Sequence, residues 1–184
     1  MKRKKTFLGV AIAVTSIFSA CGGSNSTQEL KGVKINGVTW ATTNIGASNP
    51  EYFGKCFTWK KAQTACPKGW RLPTSEELKM FANGWGNINI PSKWTTLNSK
   101  NGYEFGYDSN TIFLPAAGFN DFLSSGIFAG AFGYYWSSTE GSNNDVLFPE
   151  CSSSDAYFLN FSSNGVSFGY YGKNSKLSVR CVKE

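Results

Sequence analysis

The chain has no histidine and five cysteines, and these two facts bound its chemistry. Without imidazole there is no Ser-His-Asp or Cys-His nucleophile system and no histidine metal site. The acid–base candidates are carboxylates: Asp121, Glu140, Asp145, Glu150 and Asp155. Glycoside hydrolysis uses such groups in facing pairs, but their spacing here is that of a polar surface. The cysteines are Cys21, Cys56, Cys66, Cys151 and Cys181. No two stand in a C-x-x-C pair, so zinc is not indicated, and no metal or other cofactor is expected. With Cys21 set apart, four remain. An even number in an exported chain points to disulfides, with three possible connectivities. The residue types favour binding over catalysis.

Cys21 stands apart because of what precedes it. Lys2, Arg3, Lys4 and Lys5 form a basic start, and Phe7 to Phe18 form an apolar run of 12 residues, short for a bilayer span. Ser19-Ala20-Cys21 follows. Residues 1–20 read as a lipoprotein signal peptide whose end resembles a bacterial lipobox, with Phe18 where that pattern prefers leucine. The resemblance implies lipid on Cys21, through its thiol and then its new amine. Several acyl chains anchor stably to a membrane. Residues 21–31 are polar and glycine-rich, a flexible tether. The expected place is the bacterial cell envelope, anchored to the outer membrane, with surface exposure left open. The leader holds four cations and no acid, so the formal net charge of +6 leaves +2 for the rest. No basic stripe survives there, and nucleic acid is not an expected partner.

The elements that must position these groups centre on Trp59 to Leu78. Thr58 can cap a helix showing Trp59, Ala62 and Cys66 on one face, and Pro67 stops it. Gly69 and Pro73 fix a turn carrying Trp70 and Leu72. Thr74 with Glu77 is a capping box that opens a second helix, with Leu78, Phe81 and Ala82 as its apolar face and Gly84 as its C-terminal cap. Before this pair, Asn36-Gly37 marks a hairpin between Val33–Ile35 and Val38–Ala41, with Trp40 facing the core. After it, residues 84–102 read as a long loop anchored by Trp85 and Trp94. Thr111–Ala117 reads as a buried strand, 118–133 as a glycine-rich loop and Tyr134–Thr139 as a strand. A polar loop covers 141–154. Ala156–Phe161, Val166–Tyr171 and Leu177–Val182 close the domain as three strands.

Four stretches carry a family resemblance: V-K-I-N-G-V-T-W-A-T-T-N (Val33–Asn44), C-P-K-G-W-R-L-P-T-S-E-E-L (Cys66–Leu78), Y-W-S-S-T-E (Tyr135–Glu140) and S-V-R-C-V-K (Ser178–Lys183). In this order they resemble the Fibrobacter succinogenes major paralogous domain, a family of bacterial surface domains, over residues 32–184. The resemblance implies an α+β, C-type-lectin-like domain: two helices packed on short twisted antiparallel sheets with long ordered loops. It also implies a Cys66–Cys181 bridge from the first helix to the last strand, which leaves Cys56 and Cys151 as a second pair. The Glu-Pro-Asn and Trp-Asn-Asp elements of calcium-dependent lectins are missing, so calcium is not implied. Such a fold hosts many unrelated sites and does not fix a function.

From Tyr134 to Lys176 there are 10 Ser, 5 Asn, 5 Tyr, 4 Gly and 2 Asp, the residue types that dominate adaptable binding loops. Tyr134, Asn143, Asn144, Asp145, Phe148, Tyr170, Tyr171 and Asn174 form the expected binding face, with Trp136 assigned to the core. The composition also resembles the variable region of lectin-like lipoproteins diversified by retroelements. The leading expectation is a lipid-anchored envelope domain that presents a loop face to a glycan or protein ligand. The alternative is a structural envelope lipoprotein with no small ligand.

Overall fold

In the computed structural model, which describes residues 29–82, 84, 90–120 and 125–184, the chain turns first at Asn36-Gly37. Both residues take positive φ, 46° and 85°, as a two-residue hairpin loop requires. They join β1 (Gly32–Ile35) to β2 (Val38–Ala41). β3 (Cys56–Thr58) leads into α1 (Trp59–Ala62), and Pro67 and Gly69 turn the chain into β4 (Trp70–Arg71). α2 (Ser75–Lys79) starts at a complete capping box. Thr74 Oγ1 accepts from the Glu77 N–H, and a Glu77 carboxylate oxygen accepts from the Thr74 N–H. β5 (Ser92–Leu97), β6 (Lys100–Tyr107) and β7 (Asn110–Pro115) form a meander. β8 (Phe132–Glu140), β9 (Asp155–Ser162) and β10 (Gly165–Gly172) form another. The short strands β11 (Lys176–Ser178) and β12 (Val182–Lys183) end the chain.

These strands make three sheets, ordered β1-β2-β12-β4, β10-β9-β8-β11-β3 and β5-β6-β7. Val182 pairs with Trp40, so the last strand lies inside the sheet begun by the first. Alternation along β8, β9 and β10 sends their side chains to two faces. One face carries Tyr135, Leu159, Phe161 and Phe168 into the main core, where Trp40, Phe81, Phe105 and Tyr103 join them. Ring centroids there lie 4.5 Å apart for Phe81–Phe105 and 5.5 Å for Tyr103–Phe161. The other face gives Trp136, Ala156 and Phe158 to a second core with Ala62, Leu72, Leu177 and Val179. Leu30 is buried in that second core, and the Thr42 N–H donates to Lys31 O, so the body takes in residues from Leu30 onward.

The α+β expectation is corrected. Strand accounts for 46% of the structure and helix for 6%. Two helices packed on sheets, and with them the C-type-lectin-like architecture, give way to three sheets with one helical turn at each of two corners. The reason is local. After Ala62 the amides bond three residues back, Thr64 to Lys61 O and Ala65 to Ala62 O, and after Lys79 so do Phe81 and Ala82. Both helices therefore tighten into turns after one cycle. The loop read over 84–102 instead contains β5 and the start of β6. The strand read over Leu177–Val182 is two strands in two sheets.

Cys66 and Cys181 are bridged across 115 residues, a closure of about 4–5 kcal/mol in the chain-entropy account. The Cys56–Cys151 pair is a correction, because both are free thiols. Cys56 lies on β3 opposite Ser178. Cys151 sits in the loop after β8, in the main core, with its N–H donated to Phe148 O. Burial pushes both thiols above the usual range. The leader 1–20, Cys21, tether residues 21–28, Trp85 and Asp121 lie outside the described residues.

Candidate functional site

The four signature stretches fold onto one another. The Arg71 guanidinium grips Glu77 through two bonds of 2.6 and 2.7 Å, so the end of β4 braces the capping box of α2. The Ser138 N–H donates to Pro73 O, and the Ser75 N–H donates to Thr139 Oγ1 at 3.0 Å. Trp59 Nε1 donates to Ser137 O, and Trp136 Nε1 to Phe57 O. Arg180 is buried and donates to Asn44 Oδ1, Ala41 O and Phe113 O, each at 2.9 Å. Asn44 donates to Tyr135 Oη, which donates to Pro115 O. Burial pushes the Tyr135 hydroxyl up to about 12 and the Arg180 guanidinium down to about 10, so both keep their usual charge at neutral pH. These residues hold the fold, and a site must be sought elsewhere.

The expected binding face divides. Tyr170 and Phe148 pack together at 5.3 Å against the main core. Asp145 accepts from the Leu147 and Phe148 amides and from the Tyr157 hydroxyl. Asn143 accepts from the Ser153 amide, and Asn144 and Asn174 are exposed. Tyr134 and Tyr171 lie on the opposite face of the same sheet, each beside Phe158 at 5.9 Å. Neighbouring residues of a strand point oppositely, so Tyr170 and Tyr171 cannot share a face. The structure thus splits the eight residues expected to act as one surface: Tyr134 and Tyr171 lie on one side of the sheet, and Asp145, Phe148 and Tyr170 gather on the other. Of the carboxylates, Glu140 pairs with Lys173, and Asp155 accepts from Ser152 Oγ and its amide. Among the described residues no three His, Cys, Asp or Glu side chains could hold a metal ion together.

The face around Tyr134 is the candidate site. In register across the sheet stand Phe132, Ser162 and Gly165, then Tyr134, Asn160 and Ser167, then Trp136, Phe158 and Gly169. Trp136 and Phe158 are covered by the second core, and the rows before them are open. Phe132 and Tyr134 lie nearly parallel, 20° apart with centroids 6.1 Å apart. Phe119 packs edge-on against Tyr134 at 5.3 Å, and Phe128 against Phe132 at 5.3 Å. Phe128 is 56% exposed and Tyr171 42%. Burial, then the nearby Tyr171, raises the Tyr134 hydroxyl, which stays a neutral donor and acceptor. A cleft of about 230 Å³ opens beside these rings, lined by Phe132, Asn160, Ser162, Asn164, Gly165 and Ser167 among others. Two other hollows, of about 240 and 840 Å³, have no aromatic ring in their described lining. The sequence reading missed Phe119, Phe128, Phe132, Asn160, Ser162 and Ser167. For Phe132, Asn160, Ser162 and Ser167 the signal was the period of two along three consecutive strands, which sorts each residue to a face, whereas Phe119 and Phe128 precede β8 and carry no such signal.

A family model described as the Fibrobacter succinogenes major domain matches residues 16–183. No curated protein and no solved structure matches the chain.

Proposed function

We infer the function from a settled premise: the chain belongs to the Fibrobacter succinogenes major domain family. We propose a lipid-anchored binding domain of the bacterial cell envelope, held to the outer membrane through lipid on Cys21, without catalytic activity, that attaches to a ligand outside the cell. The observation that carries this reading is the division of labour among its residues. The signature side chains turn inward to brace the fold, while Phe128 and Tyr171 stay exposed beside Phe119 and Tyr134 on one side of a sheet. Exposed clustered rings beside polar side chains favour ligand contact over a purely structural role, which would call for a flat apolar patch. Diversification by a retroelement across 134–176 has less support, because Asp145 and Asn143 secure the loop that carries them.

The test uses cells that carry, lack or regain the gene. Wild-type protein is expected in the membrane fraction and labelled by a fed alkyne fatty acid, and Cys21→Ser protein is expected unlabelled and released. Adhesion to plant fibre, mucin and neighbouring cells is expected to fall on deletion. Wild-type protein should restore it, and a Phe128→Ser/Tyr171→Ser variant should not. Equal adhesion of the deletion strain to every surface overturns the reading.

A further inference from the structure

We propose that the cleft on the outer face of β8, β9 and β10 binds a neutral polysaccharide. One sugar ring lies against Phe132 and Tyr134, and its hydroxyls meet Asn160, Ser162 and Ser167. This deepens the reading of the chain as an envelope binding domain and rests on it.

Three observations identify the ligand class. The first is charge. Across the open rows, β8 contributes Phe132 and Tyr134, β9 contributes Ser162 and Asn160, and β10 contributes Gly165 and Ser167, with no ionisable side chain but Tyr134; the Glu140–Lys173 ion pair stands at the far end of this face, past the covered Trp136 row. An acidic glycan, a phosphate or a charged peptide would find no counter-charge there, whereas a neutral ligand loses nothing by it. The second is the pairing of chemistries. Sugar rings have apolar C–H faces and a rim of hydroxyls, each both donor and acceptor. Phe132 and Tyr134 offer parallel rings beside the cleft. The amide and two hydroxyls of Asn160, Ser162 and Ser167 likewise donate and accept.

The third observation is shape. A Cβ placed on Gly165 would meet nothing within 4 Å, and one on Gly169 would meet only the Phe158 ring, at 3.5 and 3.8 Å. The floor is therefore open above β10. At about 230 Å³ the cleft is smaller than enclosed small-molecule sites, which run to roughly 300–1,000 Å³. It suits one unit of a chain that runs on across the open sheet toward Tyr171, not a whole molecule enclosed.

The test is titration calorimetry of the purified full chain in detergent micelles with cellohexaose, mannohexaose and xylohexaose, and with oligogalacturonate as an acidic comparison. At least one neutral oligosaccharide is expected to bind with a Kd below 1 mM, with less than a twofold change between 50 and 500 mM salt. Asn160→Ala is expected to weaken it at least fivefold. Ser167→Trp fills the cleft from an exposed position and removes no core contact. It is expected to abolish binding while leaving the Tm and the urea midpoint unchanged. Binding by the acidic oligomer alone, binding that survives Ser167→Trp, or no binding by any neutral oligomer overturns the proposal. If cell adhesion to mucin persists while every oligosaccharide fails, the envelope-binding reading stands and only the ligand assignment falls.

Discussion

Arg180 shows how a single residue can look like a site and serve the fold. It is 1% exposed, and its guanidinium is met by a side-chain amide and two main-chain carbonyls. Each acceptor belongs to a different segment, so one cation joins β2, the turn after it, and β7. Replacing it leaves those acceptors without donors and opens a cavity. Arg180→Met is expected to lose about 3–5 kcal/mol and about 10 °C or more in Tm, with Arg180→Lys recovering part. A loss below about 1 kcal/mol would refute this role. Glu77 gives a pH dependence. Burial raises its carboxyl, but the bonds from Arg71 and the Thr74 amide outweigh burial and leave it below the usual range. A depressed carboxyl contributes stability in full above its unfolded value and loses it as pH falls through the folded one. Urea midpoints are therefore expected to fall between about pH 5 and pH 3. Glu77→Gln should lower the midpoint at pH 7 and flatten that dependence.

At the scale of elements, turns decided more than propensities. Asn36-Gly37 was legible because glycine at the second position advertises two positive φ values. Asn98 and Ser99 make the same turn, φ 46° and 64°, between β5 and β6. Serine there conceals it, although Thr95 and Thr96 favour a strand. Ser99→Gly relieves the left-handed conformation and is expected to stabilise the protein by about 0.5–1 kcal/mol, after the entropic cost of glycine. A lower Tm for that variant would contradict the turn. Leu177–Val182 alternates like one strand, yet Val179 O and Cys181 O accept from the Ile45 and Ala41 amides and lead the chain from one sheet into another. No local pattern reports such a change of partner. The helices read as longer than they are for the same kind of reason. The apolar spacing Leu78, Phe81, Ala82 holds, but only Leu78 reaches the core from α2, while Phe81 and Ala82 reach it from the turn that follows.

At the scale of the molecule, the two cores on either side of the five-stranded sheet explain why only part of the site was legible. Tyr134 and Tyr171 were found by composition. Composition assigns no face, however, and it gathered Tyr170, Phe148 and Asp145, which belong to the other side of the sheet. The sequence alone determined the family, through four stretches in order. It also determined the first hairpin, the capping box, the absence of imidazole chemistry and the +2 charge after residue 20, because these depend on residue type and short spacing. The tertiary structure decided the mostly-β class, the free state of Cys56 and Cys151, and the cleft lined by Phe132, Asn160 and Ser167. Each of these depends on which strands become neighbours and which face a second core covers, and those are long-range contacts that residue types do not encode locally.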